Sequence, residues 1–265
     1  MSTEAHVLPT RPKHRPLGDD WAYMLPMFTF LGFVWLAGEF SGWYVTTYVA
    51  RVLVVGALLI YFWPQYTRIR WDGWWLGIIV GVIGIFQWVG MQTLLQTWSP
   101  TAAWFAPAVT VDPVAHFKLF LQQWAITPEW FGFKPTAFNP VERFGGDDTP
   151  AFYAFVAVRW LIGASLVVPI MEELFWRDFV WRTILAPNNF KLAAIGEPDW
   201  KAVVGTAVVF AVVHGNWWLT SIVWALMISG LLVYTRSIGA CIIAHATTNF
   251  LLGAYVLYTR DWTFW

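Results

Sequence analysis

The chain has 265 residues, of which 58% are hydrophobic and only 12% are charged, and its formal net charge is zero. An ordinary soluble domain carries about 25% charged residues, so the composition indicates a multi-pass protein of the lipid bilayer and gives no sign of a nucleic-acid partner. The single cysteine, Cys241, excludes an internal disulfide and any zinc cluster built from cysteines.

Three apolar runs in the first part of the chain are long enough to be transmembrane spans, since a spanning helix needs about 20 apolar residues. They follow residues 1–20, a polar stretch without the apolar core of a signal peptide, which is predicted to be a cytoplasmic tail. Residues 96–150 are predicted to be an extracytoplasmic loop region, within which 115–125 favours a helix on the membrane surface. The three predicted spans of the 21–95 region cover 21–38, 52–66 with a start near Tyr48, and 73–95.

Four more apolar runs complete the predicted fold. The first, 151–185, is too long for a perpendicular span, so we expect it to tilt, to break near Pro169 or to project from the bilayer. The sequence thus predicts an all-α polytopic transmembrane helical bundle of about seven spans (eight possible), with a four-span catalytic core over 151–258. The remaining segments are a polar loop at 186–200, spans at 201–214, 217–235 and 238–258, and a C-terminal tail at 259–265.

The basic residues of the loops predict the orientation of the bundle, because cytoplasmic loops carry an excess of lysine and arginine. With a cytoplasmic N-terminus, the inside segments carry Arg11, Lys13, Arg15, Arg68, Arg70, Arg182, Lys191, Lys201 and Arg236. The outside segments carry fewer, and three of these lie in a long loop, where charge has little weight: Lys118, Lys134, Arg143 and Arg260. The bias favours a cytoplasmic N-terminus and, with seven spans, an extracytoplasmic C-terminus.

Five polar side chains within the apolar runs are the candidate functional residues: Glu172, Glu173, His214, His245 and Asn249. Ionisable groups at membrane depth are costly, so they indicate a functional site by default. At about 1.5 Å per helical residue, Glu172, His214 and His245 lie roughly 21, 20 and 12 Å from the predicted cytoplasmic loops. Three groups far apart in sequence therefore fall in one layer, toward the middle or the cytoplasmic half of the membrane.

Helical spacing gives these side chains different tasks. Glu173 and Arg177 are four residues apart and are expected to form an ion pair. Glu172 is rotated about 100° away from Glu173, so its carboxylate is left free to act as a general base. His245 and Asn249 are also four residues apart, and N–H groups on their shared face can donate to a developing oxyanion.

Other charged residues in or near the spans have structural interpretations. Arg51 and Arg159 are expected to extend toward the membrane surface or to form structural pairs. Asp178 and Arg182 are interpreted as packing partners that face the cytoplasm. Water must reach the candidate site through a polar cavity, which we expect to open on the cytoplasmic side.

Three short motifs in this order resemble the CAAX protease and bacteriocin-processing intramembrane proteases, the family that includes the Ras-converting enzyme. The resemblance covers about residues 151–258 and departs from the family pattern at Asp178, where relatives usually have glycine. The motifs that carry it are Glu172-Glu173-x-x-x-Arg177, Phe210-x-x-x-His214 and His245-x-x-x-Asn249.

The resemblance implies a role for each motif. Glu172 and His214 are expected to activate water, and His245 and Asn249 to form the oxyanion hole. The second glutamate and the arginine of the first motif are expected to hold the site together. The substrate would be a protein or peptide cleaved near its C-terminus, and the family name leaves open whether that substrate is prenylated.

The sequence therefore favours a glutamate-dependent intramembrane endopeptidase without a cofactor, and it leaves two alternatives open. One is a zinc-dependent metalloprotease that uses the same residues, since two histidines, a glutamate and water suit catalytic zinc. The other is a transporter, immunity protein or scaffold without enzymatic activity. Transporters often contain internal repeats and helices broken at paired positions, and neither pattern is visible in the sequence.

Overall fold

A computed structural model describes residues 18–97 and 138–265, and every regular element in these two ranges is helical. Six of the helices are long and apolar enough to cross a membrane, and α6 is a shorter apolar helix. The predicted all-α class and the count of about seven spans are therefore confirmed. The helices are α1 Gly18–Glu39, α2 Tyr44–Tyr61, α3 Trp74–Thr97, α4 Pro140–Phe144, α5 Pro150–Leu185, α6 Trp200–Val213, α7 Trp218–Thr235 and α8 Ile238–Thr259.

The second span was predicted too late in the sequence. Helix α2 begins at Tyr44, and the hydroxyl of Thr47 in its first turn donates to the carbonyl of Trp43 or Tyr44. The helix ends at Tyr61, and Pro64 follows in a short 3₁₀ turn that cannot continue the helical hydrogen bonds. The surface helix predicted over 115–125 lies outside the described residues.

Helix α5 runs without a break for 36 residues. It contains two π-helical stretches, Ala157–Val167 and Leu174–Val180, on either side of the α-helical segment Val168–Glu173. Pro169 does not break the helix; it lies where the first π-helical stretch passes into the α-helical segment. From the sequence, residues 151–185 were expected to tilt, to break near Pro169 or to project from the bilayer. The expected break near Pro169 is wrong.

The loops at the first end of the bundle are joined by polar contacts. The Nζ atom of Lys191 donates to Asp19 Oδ2 at 2.8 Å and to the carbonyl of Gln65 at 2.9 Å. The hydroxyl of Ser237 donates to the carbonyl of Arg70 at 2.7 Å. The start of α1 and the loops before α3, α6 and α8 therefore meet at this end.

The opposite end of the bundle joins the remaining connections. Arg143 donates to the carbonyl of Gly42 at 3.5 Å, and Arg260 forms an ion pair with Asp147. Of the basic residues that the structure describes, those predicted as cytoplasmic belong to the first end, while Arg143 and Arg260 belong to the second. The described basic residues are thus divided between the two ends of the bundle as the sequence predicted. The assignment of the first end to the cytoplasm stays a prediction.

Cysteine labelling can test that orientation. Single cysteines at Arg68 and Leu192, in a chain carrying Cys241→Ala, are expected to react only with reagents added from the cytoplasmic side. Cysteines at Asp148 and Thr259 are expected to react only from the outside. The two pairs serve as controls for each other, and labelling of Leu192 and Asp148 from one side would contradict the arrangement of the spans.

Asp178 takes part in a buried polar network at the first end. Its carboxylate accepts from the hydroxyl of Tyr23 at 2.8 Å and from that of Thr67 at 3.2 Å, and it forms an ion pair with Arg182. Arg182 in turn donates from Nε to the carbonyl of Ala193 at 2.8 Å. These contacts tie α1, the α2–α3 loop and the loop after α5 together, so Asp178 has a structural role away from the site described below.

Helix α3 packs closely against α8 along a line of glycines. A Cβ atom on Gly77 or Gly81 would lie 2.5 or 2.6 Å from backbone oxygens of α8, and one on Gly84 would lie 2.6 Å from the Thr248 hydroxyl. That hydroxyl donates to the carbonyl of Gly81 at 3.0 Å. Small residues allow such close approach between membrane helices, so α3 is an integral part of the wall beside α8.

Replacement of Gly81 by alanine is expected to destabilise the protein by about 1–3 kcal/mol, because its new Cβ would overlap the Ala244 carbonyl and Thr247. Gly90 lies on the same helix with nothing within 4 Å of a Cβ, so Gly90→Ala is the matched control and should be neutral or stabilising by up to about 1 kcal/mol. Thermal unfolding in detergent measures both variants. Equal stability of the two would contradict the described α3–α8 contact.

Candidate active site

The structure brings the four predicted catalytic residues, Glu172, His214, His245 and Asn249, to the wall of one cavity of about 110 Å³, here called the site cavity. They come from three helical regions that are distant in sequence. The depth argument from the sequence thus agrees with their placement, while their catalytic roles stay predictions. The other lining residues are Trp88, Val168, Phe210, Trp224, Thr248 and Leu252.

Local backbone structure presents these side chains to the cavity. Glu172 lies on the short α-helical segment of α5 between the two π-helical stretches, and such π insertions are frequent at functional sites. His214 follows the last residue of α6, where Gly215 with φ of +52° turns the chain. His245 and Asn249 lie one helical turn apart on α8.

Glu172 is buried and forms no ion pair within the described ranges. Its Oε2 atom has no hydrogen-bond partner among those residues. The sequence predicted this carboxylate as the one left free, since its neighbour Glu173 was expected to pair with an arginine. A buried carboxylate without a cation of its own, facing a cavity, is suited to accept a proton.

The histidine after α6 is held by the helix that it ends. The Nδ1 atom of His214 lies 2.7 Å from the carbonyl oxygen of Phe210, and the two rings stack with centroids 4.1 Å apart. Because a carbonyl oxygen only accepts, Nδ1 carries the proton and Nε2 of the neutral ring is the free acceptor. His214 can therefore take a proton through Nε2.

Glu173 contacts two basic side chains in the core, Arg177 and His245. Its Oε2 atom lies 3.2 Å from Nε of Arg177, and both side chains are 0% exposed. Its Oε1 atom lies 2.8 Å from Nδ1 of His245. The sequence predicted the pair with Arg177 but missed the contact with His245, which fixes the orientation of that ring and leaves its Nε2 atom free.

Aromatic faces complete the surroundings of the arginine. The guanidinium carbon of Arg177 lies 5.1 Å from the ring centroid of Phe210 and 5.6 Å from that of Trp224. Trp224 also contacts His245 edge-on, with centroids 4.7 Å apart. Cation–π contacts of this kind stabilise a buried charge that has few hydrogen-bond partners.

One amide hydrogen of Asn249 forms a hydrogen bond to the backbone of α5. Its Nδ2 atom donates to the carbonyl of Ala164 at 2.8 Å, inside the first π-helical stretch. An asparagine amide has two hydrogens, so the second is available to a group in the site cavity. The bond to Ala164 fixes the amide in the orientation that makes this possible.

Two tryptophans belong to the site although the sequence gave no reason to choose them. Trp88 from α3 and Trp224 from α7 line the site cavity, and the ring centroid of Trp88 lies 6.0 Å from that of His214. The chain contains 21 tryptophans, so composition alone could not single out these two. The glycines on α3 were the available signal, since their spacing predicts close packing against a neighbour.

A second cavity of about 160 Å³, here called the adjoining cavity, shares Asn249 and Leu252 with the site cavity. It extends toward Phe264 and Trp265, which follow α8 at the second end of the bundle. We expected an opening at the predicted cytoplasmic end, and the adjoining cavity leads the other way. Its remaining lining residues are Arg159, Trp160, Ala164 and Gly253.

The candidate zinc ligands can be compared with this geometry. The Nδ1 atoms of both histidines have protein partners, so only the Nε2 atoms and the Glu172 carboxylate are left as donors. Within residues 18–97 and 138–265, no three His, Cys, Asp or Glu side chains form a group that could hold a metal ion.

Comparison with known proteins agrees with the motifs. Residues 154–251 match a family model described as type II CAAX prenyl endopeptidase Rce1-like. The matched range includes every predicted site residue, from Glu172 to Asn249. The chain gave no significant match to a curated protein or to a solved structure.

Proposed function

The chain belongs to the Rce1-like family through residues 154–251, and from that premise we propose that it is an intramembrane endopeptidase in which Glu172 activates water. Family membership supports intramembrane endopeptidase activity, a protein substrate and a membrane environment. One observation carries the finer assignment. Glu172, without an ion-pair partner in the described ranges, lines the same cavity as His214, His245 and Asn249.

In the first step, a water molecule in the site cavity attacks the carbonyl carbon of the scissile peptide bond. Glu172 takes one proton from this water as its oxygen bonds to carbon. His214 accepts a hydrogen bond from the water through Nε2, since Nδ1 donates to Phe210. The product of this step is a tetrahedral intermediate with a negatively charged oxygen.

The negative oxygen is stabilised by donors on α8. The free amide hydrogen of Asn249 supplies one hydrogen bond, and Nε2–H of His245 supplies a second. For this role the His245 ring carries protons on both nitrogens, and the Glu173 carboxylate provides the adjacent negative charge. In the last step the C–N bond breaks, and Glu172 returns its proton to the leaving amine.

Formal charges around the site cavity balance in this arrangement. Glu172 and Glu173 contribute two negative charges, and Arg177 with a doubly protonated His245 contributes two positive charges. Uncompensated charge in a low-dielectric interior is strongly unfavourable, so this balance supports keeping Glu172 ionised before the reaction. Glu173 and Arg177 are positioning residues, because they act through His245 and do not line the site cavity.

The substrate is proposed to be a protein or peptide cleaved near its C-terminus. The family is described as a prenyl endopeptidase, so an isoprenoid on the substrate is one of the features to test. The test is to incubate the purified protein with a peptide library carrying or lacking a C-terminal isoprenoid and to identify products by mass spectrometry. Cleavage by the wild type is expected, and a lack of any cleavage would favour the transporter, immunity or scaffold alternative.

Chelation distinguishes the glutamate mechanism from the zinc alternative. A glutamate-activated water requires no ion, and Asn249 is a good hydrogen-bond donor but a poor zinc ligand. We expect peptide cleavage to continue after prolonged chelation, and elemental analysis to find far less than one zinc per chain. Stoichiometric zinc that is lost together with activity, and restores activity when added back, would establish the metalloprotease instead.

A further inference from the structure

Trp176 is a buried side chain of α5 whose polar group the proposed reaction does not use. The residue is 1% exposed, and its Nε1–H group has no partner at normal hydrogen-bond geometry among the described residues. Buried N–H groups in proteins are nearly always paired, because a donor left without an acceptor destabilises the fold. The buried indole therefore points to an acceptor in its immediate surroundings.

The acceptor that matches this indole is the carboxylate of Glu172. Trp176 follows Glu172 by four residues, and side chains at this spacing lie on one face of a helix, one turn apart. The Oε2 atom of Glu172 is buried and also lacks a partner at normal geometry in the described ranges. Trp176 acts on this carboxylate as a hydrogen-bond donor, whereas His245 and Arg177 act on it through their charge. An indole N–H can only donate and a carboxylate oxygen can only accept, so the two unpaired groups complement each other.

Neighbouring aromatic rings fix the position of this indole. Its ring centroid lies 4.6 Å from that of Phe175 and 5.8 Å from that of Phe210, and both contacts are edge-on. Phe210 also stacks on His214 and accepts a hydrogen bond from its Nδ1 atom. Trp176 is not one of the residues that line the site cavity, so it can influence the reaction only through the groups that it contacts.

We propose that the indole N–H of Trp176 donates to Oε2 of Glu172 and holds the carboxylate in the orientation that water activation requires. This inference rests on the proposed role of Glu172 as the general base. With Oε2 engaged by the indole, Oε1 is the oxygen that takes the proton when the water oxygen bonds to the peptide carbon. A small displacement of a catalytic group can cost about 100-fold in rate, so Trp176 is a positioning residue with a measurable effect.

NMR tests the bond itself without any measurement of activity. Indole ¹H–¹⁵N signals are recorded for the protein in detergent micelles. The Trp176 signal is identified by its absence when this residue is replaced by benzothienylalanine, an isostere with sulfur in place of N–H. Glu172→Leu, which offers no acceptor, is expected to move the Trp176 indole proton upfield, because that proton loses its hydrogen bond to a carboxylate. The Trp181 signal should not move, since its indole donates to the carbonyl of Glu197 at 3.2 Å.

The effect of the bond on the reaction is tested with two replacements of Trp176, each assayed on the best peptide from the library. Phenylalanine keeps a ring without the donor, and benzothienylalanine keeps the full shape of the indole without the donor. Both are expected to lower kcat by about 10- to 100-fold and to leave KM within about 2-fold, since Trp176 does not touch the substrate. In Glu172→Gln, where the base is already absent, adding Trp176→Phe should lower the remaining cleavage by less than about 2-fold.

Trp181 supplies a matched control on the same helix. It is also fully buried, and its indole N–H also has an acceptor, but it lies roughly 14 Å along the helix from Glu172 and does not line the site cavity. Trp181→Phe is expected to lower the thermal unfolding temperature, as Trp176→Phe does, and to keep the wild-type kcat. A loss of kcat in the Trp176 variants alone would assign the effect to the contact with Glu172.

Three results would overturn the inference. An unchanged Trp176 indole signal in Glu172→Leu would show that the bond does not exist. Wild-type kcat in either folded Trp176 variant would show that the N–H group does not act on the base. An equal loss of kcat in Trp181→Phe would indicate a general structural effect. If the wild type cleaves no peptide, the proposed endopeptidase function itself fails, and the NMR comparison still decides whether the bond exists.

Discussion

Replacement of Glu172 by glutamine is expected to lower the rate of peptide cleavage by about 10²- to 10⁴-fold, the usual contribution of a general base. The amide keeps the shape of the side chain, but it cannot take a proton from water. Glu172 forms no ion pair within the described ranges, so the change breaks no salt bridge. The loss of its negative charge can be balanced by a neutral His245, and the fold should therefore stay intact. Cleavage is measured with the purified variant in liposomes. The thermal unfolding temperature of the same variant is measured to check its fold.

Glu142→Gln is the matched control for that experiment, since Glu142 is an exposed residue of α4 far from the site cavity. This variant should cleave peptides at the wild-type rate. Glu172→Gln that unfolds at the wild-type temperature and also retains wild-type turnover would remove Glu172 from the mechanism.

Replacement of Glu173 by glutamine is expected to destabilise the protein by about 3–5 kcal/mol, the usual cost of breaking a buried ion pair from one side. Arg177, whose side chain is 0% exposed, would keep its charge and lose its only ion-pair partner in the described ranges. His245 would lose the carboxylate that orients its ring, so activity should fall as well. Chemical unfolding in detergent measures the loss of stability.

The double variant Glu173→Gln, Arg177→Met separates the two effects. Removing the stranded cation should recover much of the lost stability, because a buried ion pair can often be replaced by apolar groups at little cost. Activity should stay low, because His245 still lacks its carboxylate. Equal stability of the wild type and the single Glu173→Gln variant would contradict the buried pair between Glu173 and Arg177.

Helical periodicity was sufficient to predict the ion pair of Glu173 with Arg177 and the shared face of His245 and Asn249. Both depend on residues four positions apart on one helix, where sequence spacing translates directly into geometry. The common depth of Glu172 and His214 could also be estimated, because helical rise is constant and the loops are visible as polar segments.

Contacts between helices could not be obtained in this way. The bond from Glu173 to His245 joins residues 72 positions apart, and the bond from Asn249 to Ala164 joins residues 85 positions apart. They depend on how α5 and α8 rotate and slide against each other, which periodicity leaves undetermined. The bond to Ala164 also depends on the π-helical stretch Ala157–Val167, which has no distinct apolar pattern in the sequence.

Asp178 is a residue that is close to the candidate site in sequence but not in the structure. The sequence placed it beside the candidate site, one residue after Arg177, and offered only a packing role toward the cytoplasm. In the structure its carboxylate turns away from the site cavity and contacts Tyr23, Thr67 and Arg182. Adjacent residues on a helix point in directions about 100° apart, so nearness in sequence did not mean nearness to the site.

The central claim, that this site activates water for direct attack on a peptide bond, is tested most directly by cleavage in ¹⁸O-labelled water under single-turnover conditions. Mass spectrometry would follow the product and the intact protein together. We predict one ¹⁸O atom in the new C-terminal carboxylate of the product and no added mass on the protein at any time during turnover. A covalent acyl-enzyme that forms and decays at the rate of cleavage, or no cleavage at all, would contradict the account.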